Sequence, residues 1–335
     1  MDSSLATVVI PNYNGRRFLP MLMESLAAQV ERRFTITLVD DASTDDSVAY
    51  IQHAWPNVKV IRNPRNLGFA ASCNVALKAV QRPFVILLNN DTHVEPGWLA
   101  EGLKPFEDAA VGAVASLVLL DDPPHLVDTA GDVYSVAGGA VKRHHGLKRE
   151  GVGRLPREIF SPSGVSAFYR REALASAGYL DERFESYYED VDLGFRLARL
   201  GYDAVFAPAS VCYHRLSSSY DPGGWRYHFN SARNAEVVWW ANLPLGLMLR
   251  FLAAHLCFNA LQAAHKIIQG RGIAYLCGKL AVLAHLGHIL AKRRDNSRLT
   301  RRRSADLAAR LERRWWSLHV SSRANFKSVR GSVRD

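Results

Sequence analysis

Residues 84–91 read FVILLNND, five apolar residues followed at once by two amides and a carboxylate. An unbroken apolar run of this kind is what a strand covered on both faces requires. The oxygen ligands directly after it put chemistry at the strand's carboxyl end. Toward the N-terminus the pattern repeats. Thr7–Ile10 stops at Pro11-Asn12-Tyr13-Asn14, Thr35–Val39 runs into Asp40-Asp41, and Val58–Ile61 runs into Arg62-Asn63. Between these runs apolar residues fall at helical spacing, as with Phe18, Leu19, Leu22 and Leu26. A second helix follows Asp41, with Thr44 or Asp45 as its expected N-cap, and a third covers 69–80. Strands separated by helices at this rhythm predict a parallel βαβ sheet. Ligands of such sheets bind outside the carboxyl ends of the strands. Neither GxGxxG nor GxxxxGK[ST] occurs there, so a dehydrogenase and a P-loop NTPase are not supported.

Beyond residue 91 the signals are mixed. Val111–Leu120 and Val165–Tyr169 read as strands, and 121–153 as a glycine-rich loop region. Asp190–Leu200 reads as a helix closed by Gly201. Asp203–Phe206 and Val211–His214 read as two strands on either side of Pro208. After about Trp225 the chain becomes helical and very apolar as far as Ala291. Its longest uncharged run, Phe251–His265, is interrupted afterwards by Lys266, Arg271 and Lys279. A spanning helix needs about 20 apolar residues, so two helices lying in a membrane interface are expected, with core padding or a dimer interface as the bland alternative.

Charge sharpens this division. The chain has 335 residues and a formal net charge of +10, yet residues 292–335 hold 14 Lys or Arg against 4 Asp or Glu. The rest carries 28 of each sign and is neutral. The basicity therefore concerns what the tail meets, anionic lipid in preference to nucleic acid. The expected organisation is 1–225 catalytic, 226–291 membrane-associated helices and 292–335 basic tail. Four dispersed cysteines without a CxxC pair read as structural thiols of a reducing compartment. The start, Met1-Asp2-Ser3-Ser4, has no signal-peptide pattern and predicts a cytosolic beginning.

Three acidic positions stand out. Asn89-Asn90-Asp91 suits Mg²⁺ or Mn²⁺ held by one or two carboxylates plus substrate phosphate oxygens, although Asn and Asp also form plain turns. Asp40-Asp41 places two carboxylates side by side, which is unfavourable unless something binds near them; a helix N-terminus favours acids too. Glu189-Asp190-x-Asp192 opens a helix behind Tyr187-Tyr188, as a tuned general base or as a simple cap.

Taken together, VVIPNYNG (8–15), LVDDASTDDS (38–47), NPRNLGFAASCNVAL (63–77), LLNNDTHVEPGWL (87–99), SGVSAFYRREALASAGYLDERF (163–184) and YYEDVDLGFRLARLGY (187–202) resemble family 2 glycosyltransferases, the bacterial rhamnosyltransferase-like branch in particular. The resemblance covers about two thirds of the chain. It implies the GT-A fold, an α/β Rossmann-like nucleotide-sugar-binding mixed sheet flanked by helices, here followed by C-terminal amphipathic helices. It implies that Pro11, Tyr13, Asn14 and Asp41 hold the pyrimidine nucleoside of a UDP- or dTDP-linked donor. Asn66, Gly68, Asn74 and Asn90 would border the nucleotide and its sugar. Asp91 and His214 would hold the metal, with Asn89 standing where the family often has a first Asp. Asp190 would be the catalytic base of an inverting displacement.

The implied activity is transfer of a hexose, rhamnose among them, to a lipid-linked saccharide during cell-envelope polysaccharide synthesis. The expected location is the inner face of the cell membrane, held peripherally, with a homodimer left open. Two readings compete: a polyprenyl-phosphate sugar synthase, and a catalytically inactive sugar-nucleotide-binding scaffold. A nucleic-acid partner is suggested by the tail alone and is not expected.

Overall fold

A computed structural model describes residues 4–122, 125–215 and 223–320. The first half alternates as expected: β1 (Ala6–Asn12), α1 (Leu19–Ala27), β2 (Phe34–Asp40), α2 (Ser47–Ala54), β3 (Lys59–Arg62), α3 (Phe69–Leu77) and β4 (Phe84–Leu88). Then come β5 (Thr92–Val94), α4 (Trp98–Leu103), β6 (Val111–Leu120), β7 (Val127–Thr129), β8 (Asp132–Tyr134), β9 (Ala140–Lys142) and β10 (Glu158–Ile159). They are followed by β11 (Ser166–Arg170), α5 (Arg171–Ser176), α6 (Glu189–Leu200) and β12 (Asp203–His214). The C-terminal part is helical: α7 (Trp225–Asn242), α8 (Leu245–Ile268), α9 (Gly272–Ala281), α10 (Leu286–Leu299) and α11 (Ser304–Ala309).

The main sheet runs β10-β12-β6-β11-β4-β1-β2-β3, with β5 paired to β12 and β7 to β6. Strands β4, β1, β2 and β3 are parallel. β11 lies antiparallel between β4 and β6, which makes the sheet mixed. Alternation along β4 explains its apolar run. Val85 and Leu87 join the core under α3, α5 and α6, while Ile86 and Leu88 join the core under α1, α2 and α4. The parallel order 3-2-1-4 reverses between β1 and β4, the place where such sheets open a ligand crevice.

Four details differ from the sequence reading. Pro208 does not divide the last strand; β12 is continuous and absorbs the proline in a bulge between Ala207 and Val211, where a missing N–H is tolerated. The region 121–153 contains β7, β8 and β9, too short to show a period. α2 begins after Asp46, and neither Thr44 nor Asp45 occupies the cap position. Asp45 still serves that turn, because its carboxylate accepts from Ser47 N–H at 3.1 Å. Finally, the apolar region is three helices, and the segments Leu245–Ile268 and Gly272–Leu299 are each long and apolar enough to cross a membrane by length and composition.

Lys279, one of the residues that interrupts this stretch in sequence, turns inward. Its ammonium lies 2.5 Å from a Glu236 carboxylate oxygen, and His255 Nε2 is 3.1 Å from the other. Asn259 donates to the same carboxylate at 2.9 Å, as does Trp240 Nε1 at 2.8 Å. A third core joins these helices to the catalytic part through Tyr134, Phe160, Phe184 and Phe195. The start of the basic tail is also folded back. Lys292 is buried between Asp181 and Asp192 at 2.6 and 2.7 Å, and Arg302 and Arg310 both meet Asp203. Residues 321–335 of the tail lie outside the described residues. All four cysteines are free thiols.

Burial alone would raise the Glu236 pKa, but His255 and Lys279 outweigh it and hold it at about 2. Its contribution is therefore present above the ordinary value of 4.5 and lost as pH falls toward 2. Removing it leaves a buried ammonium unpaired. Glu236→Ala should destabilise the protein by about 3–5 kcal/mol, read by urea denaturation at neutral pH. A loss below about 1 kcal/mol would mean that this network does not hold α8 and α9 in place.

Candidate active site

The carboxyl ends of β1, β2 and β4 meet side by side. Asn12 is the hub: its Nδ2 donates to Asp40 Oδ1 and to Ser43 Oγ, each at 3.2 Å, and its Oδ1 accepts from Asn90 Nδ2 at 2.8 Å. Asp40 is fully buried and also accepts from Ser43 N–H at 3.2 Å. Gly15 fits against this hub because it has no side chain; a Cβ there would overlap Asn90 Nδ2 and Asn12 Oδ1.

Asp41 binds the protein's own loop. Its carboxylate accepts from Asn63 Nδ2 at 2.9 Å, Leu67 N–H at 2.8 Å and Gly68 N–H at 3.0 Å. A carboxylate offers about four acceptor positions, so one remains for a ligand. Gly68, at φ +83°, adopts a conformation that side chains avoid and opens α3. Asn66 Oδ1 accepts from the same Gly68 N–H at 3.2 Å. In the β1–α1 loop Asn14 is committed to the neighbouring turn, accepting from Thr44 N–H at 2.8 Å. Pro11 sits within β1 opposite Val39, and Tyr13 is about half exposed, at 49%. Asn74 serves elsewhere: its amide closes on Leu180 and Glu182 at 2.8–3.1 Å, bracing the 180–182 segment.

The antiparallel pairing of β5 with β12 brings His214 opposite Thr92, next to Asp91. His214 Nε2 lies 3.4 Å from Asp91 Oδ1, and Nδ1 lies 2.9 Å from Asp128 Oδ2. Asp128, on β7, is fully buried and also meets Lys142 Nζ at 2.7 Å. Burial lowers the His214 pKa, but the two carboxylates overcome this and raise it to about 9. Burial pushes Asp128 up, and Lys142 with the two histidines brings it well below the usual carboxylate range.

Among the described residues no group of three His, Cys, Asp or Glu side chains is arranged to hold a metal alone. Mg²⁺ bound with a nucleotide needs only one or two protein carboxylates, the phosphates supplying the rest. Asn89 Oδ1 is buried with no hydrogen-bond donor, an orphan acceptor two residues from Asp91. His214 is oriented by a carboxylate on its other nitrogen, the usual arrangement behind a metal-ligating histidine. The residues present fit the ion.

Asp190 stands at the start of α6, its carboxylate accepting from Gly164 N–H at 3.0 Å and Val191 N–H at 2.8 Å. Burial raises its pKa nonetheless. Neighbouring Glu189 and Asp132 are raised well above the usual range, by burial first and by the Asp190 charge next. Glu189 Oε2 has no donor, whereas Asp190 has two N–H groups that favour its charged form. Asp192 is not part of this group; it pairs with Arg196 and Lys292.

Sequence reasoning missed Asp128, Asp132, Lys142 and His145. They lie in the stretch read as loop, where strands of three residues leave no periodic signal that could have found them.

The sheet order, the carboxylates at its edge and the flanking helices define a nucleotide-sugar-binding fold of the GT-A type. Residues 7–178 match Glycosyl transferase family 2, just over half of the chain, and the chain belongs to that family. Over 241 residues it is 27% identical to N-acetylglucosaminyl-diphospho-decaprenol L-rhamnosyltransferase of Mycobacterium tuberculosis, covering 63% of this chain and 76% of that protein. It is 29% identical over 226 residues to the O-antigen biosynthesis protein RfbC of Myxococcus xanthus, 64% of this chain but 17% of that one. Among solved structures, the mannosyltransferase PcManGT from Pyrobaculum calidifontis, in complex with GDP-Man and Mn²⁺, has a TM-score of 0.54 at 18% identity, over 88% of this chain and 84% of its own.

Because Asn12 and Asn90 leave no room at Gly15, Gly15→Ala should separate β1 from β4 at the crevice. We expect a loss of about 1–3 kcal/mol, the usual effect of overpacking, measured by thermal or urea unfolding. A variant as stable as the parent would show that the Asn12–Asn90 contact yields easily.

Proposed function

We propose that this protein is a metal-dependent, inverting glycosyltransferase that moves a hexose from a nucleoside-diphosphate sugar to a hydroxyl of a lipid-linked saccharide. The observation that carries the reading is one sheet edge holding both an Asp91–His214 pair and, at Asp190, a half-buried carboxylate whose charged form is favoured by two backbone N–H groups. The acceptor class is supported by the M. tuberculosis relative, whose name specifies a lipid diphosphate, and rhamnose is the sugar it transfers.

In this reading Pro11, Tyr13, Asn14 and Asp41 border the nucleoside, and Asn66, Gly68 and Asn90 the diphosphate and sugar. Asn74 acts behind them by bracing 180–182. Asp91 and His214 would hold Mg²⁺ or Mn²⁺, which when bound neutralises charge on the departing diphosphate. Asp190 accepts the acceptor hydroxyl's proton as that oxygen forms a bond to the anomeric carbon. The bond to the diphosphate oxygen breaks on the opposite face, its electron pair leaving with the nucleoside diphosphate. One displacement inverts the configuration.

A panel of UDP-, dTDP- and GDP-sugars with Mg²⁺ or Mn²⁺, scored by thermal stabilisation and nucleotide release, tests the reading and names the donor. With the productive donor, Asp190→Asn should lower kcat by at least about 100-fold while donor affinity is kept. Excess EDTA should abolish transfer. Normal turnover in either case would overturn the assignment.

We also place the protein on the inner membrane surface, with 1–225 as catalytic domain and 226–291 as its membrane-associated part. Between 245 and 291 the single exposed charged side chain among the described residues is Arg250, while Leu249, Leu256, Leu280 and Leu290 are exposed. Exposed Arg294, Arg298 and Arg313 remain available for anionic headgroups. Leu256→Glu with Leu280→Glu should abolish flotation with phosphatidylglycerol–phosphatidylcholine vesicles without lowering Tm. If those substitutions instead convert a dimer to a monomer and leave flotation intact, the face belongs to a second copy of the chain.

A further inference from the structure

The loop immediately before the Glu189-Asp190 pair holds a backbone that L-residues avoid. Glu185, Tyr187 and Tyr188 have φ of 61°, 73° and 71°. Such a run persists only where its surroundings over-determine it, and it tends to mark functional segments. The surroundings here come from α7. Asn234 is buried, and its Nδ2 donates to the carbonyls of Phe184 at 3.0 Å, Ser186 at 3.0 Å and Tyr187 at 2.8 Å. An amide has two N–H groups, so one of them is shared between carbonyls and the loop is gripped at three points.

Arg233 fixes the gripping amide. Its Nε donates to Asn234 Oδ1 at 2.9 Å, Nη2 donates to Phe184 O at 3.2 Å, and Nη1 lies 3.7 Å from Glu185 Oε1. The loop in turn touches both sides of the site. Glu185 O accepts from Ala70 N–H at 3.3 Å, in the first turn of α3 that Gly68 opens. Tyr188 O accepts from Asp192 N–H at 2.9 Å, the first bond of the helix that carries Asp190.

We infer that Asn234, oriented by Arg233, is a positioning residue for the transfer reaction: through the 184–188 backbone it fixes Asp190 relative to the 66–68 loop. Asn234 touches no reacting atom. The inference rests on the assignment of Asp190 as base, and it gives α7 a part in catalysis that its position outside the matched family region does not announce.

The test uses the full chain and the donor that the nucleotide-sugar panel identifies. Asn234→Ala should lower kcat by about 100-fold, the loss that a small misplacement of a catalytic group produces, with donor KM changed by no more than about twofold. Glu185→Gly removes the Cβ that makes φ of 61° unfavourable. In that background Asn234→Ala should cost at least about tenfold less in kcat, a coupling that a purely structural asparagine lacks. If Asn234→Ala does not fold, Arg233→Lys takes its place in the same two backgrounds, because Arg233 orients the Asn234 amide, and the same two outcomes decide. Unchanged kcat in Asn234→Ala, or equal losses in the two backgrounds, would overturn the inference. If the wild type turns over no sugar in the panel, the glycosyl-transfer reading fails, and hydrogen exchange decides this one. Faster exchange across 184–191 in Asn234→Ala supports the grip, and identical exchange removes it.

Discussion

Burying the Asp128 carboxylate costs several kcal/mol unless opposite charge and hydrogen bonds come to it, and the segments around it are arranged to meet that demand. Lys142 on β9, His145 in the following loop and His214 at the end of β12 reach it from three directions. His145 also bonds the Asp128 carbonyl at 2.7 Å. Three separate parts of the chain are thus tied to one charge, and the tie fixes which way the His214 ring faces. Asp91 receives the imidazole's other nitrogen as a result. Without Asp128 the pair at the crevice would be two side chains at adjacent strand ends with no reason to share an orientation.

The same positive charge reaches the second acidic group. Lys142 pairs with Asp128 and also steadies the charges of Asp190 and Asp132, but at Asp132 burial and the Asp190 charge outweigh it, and Glu189 is raised by burial and by its acidic neighbours. A site with several buried carboxyls cannot ionise all of them. The distribution follows hydrogen-bond donors: Asp128 and Asp190 have them, and Glu189 Oε2 does not.

The C-terminal helices belong to this arrangement and are not a detachable anchor. α7 grips the loop before Asp190, Glu236 draws Lys279 and His255 inward, and Lys292 reaches Asp192 on α6. Of the charges that break the apolar run in sequence, Lys279 is on the inner face and Lys266 and Arg271 are half-buried, which leaves Arg250 as the exposed charge of 245–291 among the described residues. The exposed apolar face and Asp190, the proposed base, are thereby held by one packed set of helices.

The sequence by itself determined the sheet. Apolar runs, the polar residues that end them and the motifs of 8–15, 38–47, 87–99 and 187–202 were enough for the fold, for naming Asp91, Asp190 and His214 as candidates, and for the neutral body with a basic end, because these signals are local. Tertiary structure alone decided the partners. Asp128, Lys142, Arg233 and Asn234 lie in short strands or on a helix, and their partners come from distant parts of the chain: Asn234 meets Phe184 across 50 positions and Asp128 meets His214 across 86. It also reassigned Asn74 from the ligand edge to a brace, joined two expected strands through Pro208 into β12, and turned Lys279 inward. Propensity and spacing describe how a segment is shaped, but a buried charge is satisfied by whatever the fold brings within 3 Å of it, and that is a property of the packed chain.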